Sequence, residues 1–284
     1  MKDKYRIIFI AGPTASGKSD YAYKAAKEHG AVILACDSMQ IYKEPQILTN
    51  KPPRAMLEDI RHDFIDIVSV TEAYNAYDYS IAAAEKIAQY QKENIPVIVC
   101  GGTGMYMKAL LDGIFADASK DSNLRRELEL KDESELYREL QKTDPAAAQK
   151  ISMNDKRRLV RALEVYYTGG KPISERQKDI KGIWGKYDIE IIGINIERDK
   201  LYARINMRTE EMFERGALEE AKQLLAMPLS LTAQHIIGLK EIKSHLDGNI
   251  DLSTCKELIK QNTRRYAKRQ MTWFNKDKRI KWAG

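Results

Sequence analysis

Residues 9–26 read FIAGPTASGKSDYAYKAA. An apolar run enters Gly12, four residues follow, and Gly17-Lys18-Ser19 opens a segment rich in Ala, Lys and Tyr. Strand, glycine loop and helix in this order form a phosphate cradle. Backbone N–H groups point inward at the positive end of a helix, the lysine adds a point charge, and the hydroxyl can ligate Mg²⁺. Thr14 and Ser16 add two more hydroxyls. Such a loop requires only a pyrophosphate, so it leaves open whose phosphates it holds.

Working outward, residues 5–11 predict a β-branched first strand, and Lys18 to about His29 a helix capped by Gly30. AVILAC, 31–36, is a second apolar run, FIDIVSV, 64–70, a third and PVIVCGGTG, 96–104, a fourth that ends in glycines. YSIAAAEKIAQYQKE, 79–93, and MYMKALLDG, 105–113, are helical in character. Continuous apolar strands alternating with helices predict an α/β fold: a P-loop NTPase-like parallel sheet flanked by helices. Residues 117–180 carry no strand signal and predict about four short polar helices, and YDIEIIGINIE, 187–197, returns as a strand. The expected organisation is a core of 1–115 with 186–284, interrupted by an all-helical insertion domain over 116–185. The core ends in a long basic helix from about Ser253 to Asn275.

The ends of the second and fourth strands carry the next candidates. Asp37-Ser38-Met39-Gln40 places a carboxylate, a hydroxyl and an amide where a parallel sheet ends, which is where ligands bind in open α/β sheets. Asp37 can act as a general base or face magnesium, and Gln40 suits the edge of an adenine. The alternative is a turn in which Asp37 and Ser38 only cap. In CGGTGMY the glycines permit close backbone approach and Thr103 faces the same crevice; a tight turn is the alternative.

The chain has 284 residues, 43% hydrophobic, with 47 Lys and Arg against 41 Asp and Glu. That suffices for a substantial core, and the net charge of +6 favours an anionic partner without identifying one. Three dispersed cysteines (Cys36, Cys100, Cys255) and four scattered histidines show no zinc or disulfide spacing, as expected of reduced thiols in the cytoplasm. The apolar run near the N-terminus is too short for a membrane span. Charge concentrates in two places. Lys156, Arg157, Arg158 and Arg161 lie within two helical turns, with Arg157 and Arg161 on one face. Residues 264–282, RRYAKRQMTWFNKDKRIKW, hold eight Lys and Arg against one acid, interleaved with aromatics. That mixture suits a phosphate backbone with splayed-out bases, although a solvated face over packed aromatics is the plainer account of any one such run.

Taken together, GPTASGKS, DSMQIY, GGTGMYMKALLDG, NDKRRLVRALEVYYTGGKPIS and TRRYAKRQMTWF, in that order, make the chain resemble the tRNA dimethylallyltransferases over nearly its whole length. The resemblance implies transfer of a dimethylallyl group from its diphosphate to the exocyclic amine of the adenosine 3′ of the anticodon, in tRNAs reading codons that begin with U. It implies that Gly12, Pro13, Thr14, Ala15, Ser16, Gly17, Lys18 and Ser19 hold the diphosphate, with Arg208 alongside and Ser19 on Mg²⁺. Asp37 is implied as general base, with Thr103 in the reaction channel and Lys18 stabilising the leaving group. Ser38, Met39, Gln40, Arg125, Arg157, Arg158, Arg161, Lys268, Arg269, Gln270 and Trp273 are implied as contacts to the tRNA anticodon stem-loop, together with Asp37 and Thr103. One segment departs from the pattern: where the family often has a VGYRE-like run, this chain has IIGLKEI at 236–242, with Leu239 for the aromatic and Lys240 for the arginine. Nothing in the sequence demands a dimer, and a cytoplasmic monomer is the expectation.

Three other readings compete. A small-molecule kinase would use the loop on ATP with the arginines at 157–161 as a lid, but leaves the basic-aromatic C-terminus unexplained. A prenyl transferase acting on a free adenine nucleotide would not need two basic clusters. An RNA-binding module would bind tRNA but show no turnover with any donor.

Overall fold

The computed structural model describes residues 6–115, 121–177 and 180–283. They form two compact units: Met1–Leu110 with Ile183–Gly284, and Leu111–Gly182.

The first unit is built on one sheet. Its strands are β1 (Ile7–Ala11), β2 (Val32–Ala35), β3 (His62–Asp63), β4 (Val97–Gly101), β5 (Ile189–Ile194) and β6 (Ile280–Ala283), in the order β3-β2-β4-β1-β5-β6 and parallel throughout. The fold is α/β with a P-loop-type sheet, as expected. Residues Ile7, Phe9 and Ile10 have no exposure, because helices cover both faces and the apolar runs have no polar face to present. Three helices fall among the first four strands: α1 (Lys18–His29), α2 (Arg54–Asp59) and α3 (Ala76–Lys92). Gly30 ends α1 in the left-handed region, with φ 62°. Asn75 opens α3 with a reciprocal capping box to Asp78. Ala22 and Ala26 of α1 pack on Ile10, Ile33, Ile98 and Cys100 of the sheet.

The third strand sits earlier and is shorter than its apolar run suggests. Phe64 and Asp66 have φ of 67° and 58°, a left-handed backbone that no strand accepts, so pairing stops at Asp63. Only Val68 regains a bridge, to Tyr42.

After β4 comes α4 (Gly104–Asp112). The second unit holds α5 (Ser122–Leu130), α6 (Glu133–Thr143), α7 (Pro145–Ala148), α8 (Lys156–Gly169) and α9 (Ile173–Arg176). Leu128, Leu136, Leu140, Leu159 and Leu163 form its core. Buried Asp144 accepts from Ala147 N at 2.9 Å, Ser174 N at 2.9 Å and Ser174 Oγ at 2.6 Å, which ties α7 to α9 through one carboxylate.

The chain returns through β5 to α10 (Arg198–Glu214), α11 (Ala217–Leu225), α12 (Leu239–Leu246) and α13 (Leu252–Phe274). The long basic helix ends at Phe274, next to the expected Asn275, and the rest of the basic run continues into Ile280–Ala283, which pair with β5 as an edge strand. Asp277 turns the chain by accepting from Arg279 N at 3.0 Å and Arg279 Nε at 2.8 Å. Leu239, the departure in IIGLKEI, is buried with Ile236 and Ile242 against the 41–48 loop and α13, so a packing role accounts for it.

Candidate active site

The phosphate loop leaves β1 at Ala11 and enters α1 at Lys18. Ala15 and Gly17 adopt φ of 63° and 90°. For Ala15 that conformation costs on the order of 1 kcal/mol, and the alternation of hand is what turns successive N–H groups inward. The amides of Ala15, Gly17, Lys18 and Ser19 have no hydrogen-bond partner among the described residues. Gly12 permits a close approach: a Cβ there would press on Ser16 Oγ and Ile194 O at 3.0 and 3.1 Å. Ser16 Oγ is buried with no partner among the described residues, an orphan a bound anion would satisfy.

Positive charge surrounds this nest. Lys18 Nζ donates to Pro13 O at 3.3 Å. Burial lowers its pKa, and Arg208 pushes the same way, while Cys100, Asp37 and Cys36 oppose. Arg208 Nη1 donates to Thr14 Oγ1 at 2.9 Å, and burial lowers the guanidinium pKa to about 10 despite Asp37. One turn earlier on α10, Arg204 Nη1 donates to Ser16 O at 3.3 Å. Sequence reasoning singled out Arg208 and missed Arg204, although the i,i+4 spacing puts both on one face.

Opposite the loop, β2 and β4 end side by side. Asp37 Oδ1 accepts from Met39 N at 2.9 Å and Gln40 N at 3.4 Å, whereas Oδ2 accepts no hydrogen bond among the described residues. One oxygen of the carboxylate therefore caps the turn and the other is left uncommitted. Thr103 N donates to Cys36 O at 3.3 Å, and its Oγ1 accepts from Ser38 N at 3.0 Å and lies 3.3 Å from Ser38 Oγ. Thr103 thus joins the two strand ends beside Asp37. Met39 is half-buried against the cluster that holds Tyr42 and Val70.

Gln40 corrects an expectation. Its Nε2 donates to Thr49 O at 3.3 Å and Asn50 O at 3.0 Å. With both amide protons spent on the chain's own backbone, it cannot make the two-point contact with an adenine edge. Its partners lie nine and ten residues on, in a loop no local pattern marks.

Helix α13 reaches the same crevice. Lys268 and Arg269 are exposed. Gln270 is 5% exposed and points inward, at the loop rather than at solvent. The half-buried Trp273 lies over Gly104, where a Cβ would strike its indole. Tyr266, between Thr103 and Gln270, is held neutral by burial and the nearby Asp37 charge.

The second unit carries its own basic group. Arg157 and Arg158 are exposed, and Arg158 pairs with Asp155 at 3.2 Å. Arg161 Nη1 lies 2.9 Å from Glu164, which is 2% exposed, and Arg125 Nη1 lies 3.8 Å from the same carboxylate. Arg161 also covers the Phe115 ring at 5.7 Å. Arg125 and Arg161, distant in sequence, thus converge on one buried anion.

The IPP transferase family model matches residues 40–277. The chain belongs to this family. As a family member it is 41% identical over 285 residues to a tRNA dimethylallyltransferase of Geobacter sulfurreducens, covering 98% of this chain and 92% of that one. A tRNA dimethylallyltransferase of Carboxydothermus hydrogenoformans is 43% identical over 287 residues, covering 98% and 91%. Among solved structures, the full-length tRNA isopentenylpyrophosphate transferase of Bacillus halodurans aligns with a TM-score of 0.72 at 34% identity, over 99% of this chain and 90% of that one. A eukaryotic dimethylallyltransferase acting on tRNA aligns with a TM-score of 0.83 at 32% identity, over 95% and 70%. In this IPP transferase the family match starts at Gln40, beyond both the phosphate loop and Asp37. Among the described residues no helix is long and apolar enough to cross a membrane.

Proposed function

We propose that this chain transfers a dimethylallyl group from dimethylallyl diphosphate to the exocyclic amine of the adenosine 3′ of the anticodon, in tRNAs reading codons that begin with U. The observation that carries the reading is the pairing of an amide nest, flanked by Lys18 and Arg208, with a carboxylate whose Oδ2 is uncommitted. The family and its tRNA-modifying relatives supply the substrate class.

In the reaction the amine nitrogen bonds to the allylic carbon as that carbon's bond to the diphosphate oxygen breaks. Positive charge develops on the prenyl group and negative charge on pyrophosphate. Loop amides, the Ser16 hydroxyl, Lys18 and Arg208 meet the second charge. An adenine amine is a weak nucleophile, and Asp37 Oδ2 takes its proton as the bond forms. Thr103, tied to Ser38, holds the crevice beside Asp37. The base must be unstacked to enter, which an anticodon loop allows.

No group of three or more His, Cys, Asp or Glu among the described residues could cage a metal. The fit is instead to magnesium carried on the diphosphate, with Ser19 at the start of α1 supplying one hydroxyl. Bound so, it would add positive charge to the leaving group. Arg125, Arg157, Arg158, Arg161, Lys268 and Arg269 form the proposed contacts to tRNA phosphates. The chain acts as a cytoplasmic monomer in this reading.

The test is mass analysis of tRNA nucleosides after incubation with protein, Mg²⁺ and dimethylallyl diphosphate. The expected result is one prenyl unit on adenosine. Transfer from labelled ATP to a small acceptor, or prenylation of AMP but not tRNA, overturns the reading.

A further inference from the structure

Gln270 occupies an unusual position for a residue on a basic helix. Its Oε1 accepts from Thr14 N at 2.8 Å, and its Nε2 donates to Gly102 O at 2.9 Å. A Cβ on Gly102 would collide with that same Nε2. The neighbours Lys268 and Arg269 are exposed, whereas Gln270 is buried. One side-chain amide thus spans the gap between the phosphate loop and the turn that presents Thr103.

We propose that Gln270 is a positioning residue of the donor site that sets the distance between the diphosphate nest and the Asp37–Thr103 crevice, and that it makes no contact with tRNA. This deepens the function proposed above and rests on it. Both polar atoms of the amide meet backbone partners of good geometry, so displacing it would leave a half-buried N–H and a buried carbonyl unpaired. Moving Thr14 moves the loop residue to which Arg208 is bonded, so the effect reaches the leaving group. Misplacement by an ångström suffices to depress turnover.

The experiment measures KM for dimethylallyl diphosphate, kcat, and tRNA Kd with its salt dependence, in wild type, Gln270→Ala, Gly102→Ala and the double variant. Melting temperatures are recorded for each. Gln270→Ala should raise the donor KM about tenfold and lower kcat, with tRNA Kd within twofold and its salt slope unchanged. Gly102→Ala, which pushes on the amide from the other side, should act similarly. In the Gln270→Ala background the added Cβ finds space, so the double variant should be no worse than Gln270→Ala alone. A merely structural loss would lower the active fraction and leave the donor KM where it was. The proposal is overturned by an unchanged donor KM, by tRNA Kd rising as far as the donor KM, or by multiplicative losses in the double variant. Absence of prenyl transfer in the wild type would instead remove the underlying reading.

Discussion

Arg208 donates to the Thr14 hydroxyl at 2.9 Å, so a half-buried arginine is fixed on the phosphate loop by the chain itself. It needs no reorganisation when charge develops on the leaving group. Arg208→Ala should lower kcat/KM for the donor by about 10²–10³. Arg208→Lys should recover only part, since a lysine offers no planar fork. Steady-state kinetics at saturating tRNA check this; a loss below threefold in the alanine variant would remove Arg208 from the site.

Asp37→Asn preserves an oxygen for Met39 N and Gln40 N, so the turn survives. It removes the base. Turnover should fall by at least about 10²-fold with tRNA Kd within twofold. Retention of more than a tenth of wild-type turnover would assign the proton elsewhere.

Lys18 predicts a pH dependence. Its folded-state pKa is below the ordinary 10.5, chiefly through burial. Between the two values the unfolded chain holds a proton the folded one has released, so this group's contribution to stability rises with pH across that window. A diphosphate stabilises the ammonium and opposes this. Pyrophosphate binding should therefore take up a proton above the lowered pKa, and affinity should fall as pH rises. Calorimetry in buffers of different ionisation enthalpy reads the uptake, which Lys18→Gln should abolish.

Gly101 lies where a Cβ would run into the Cys36 backbone carbonyl. Unlike the far end of a side chain, that carbonyl belongs to the neighbouring strand end and cannot swing away. Gly101→Ala should lower stability by about 2–4 kcal/mol, seen as a shifted denaturation midpoint. Full wild-type stability would count against the tight β2–β4 closure.

The two basic groups are tested separately by salt. Arg157→Ala and Lys268→Ala should each lower the slope of log K against log salt by about 0.7–0.9 if each meets one phosphate. An unchanged slope would exclude that residue from the interface.

What was legible in the sequence was whatever depends on neighbours along the chain. GPTASGKS shows its own strand, loop and helix, and the apolar runs of β1, β2, β4 and β5 have no other use. The third strand was misplaced because apolarity at 64–70 is visible while the left-handed backbone at Phe64 and Asp66 is not. The edge strand β6 gave no signal because Lys and Arg dominate the run leading into it as they dominate the end of α13. Gln270 could not be read as part of the phosphate site, and Arg204 only through its spacing from Arg208, since the atoms they meet, Thr14 N and Ser16 O, are backbone groups far away in sequence. Side chains that serve backbone leave no motif.

The strand order has a consequence for how the chain is made. Ile7 in β1 pairs with Val97 on one side and with Ile189 on the other. β1 thus waits, one edge unpaired, until the whole of Leu111–Gly182 has been synthesised. That later segment has its own leucine core, and while it is made β1, β2 and β4 remain an open half-sheet. Contacts of such long range are slow to form and expose strand edges meanwhile. Folding yield in this protein therefore hinges on the interval between translation of β4 and arrival of β5.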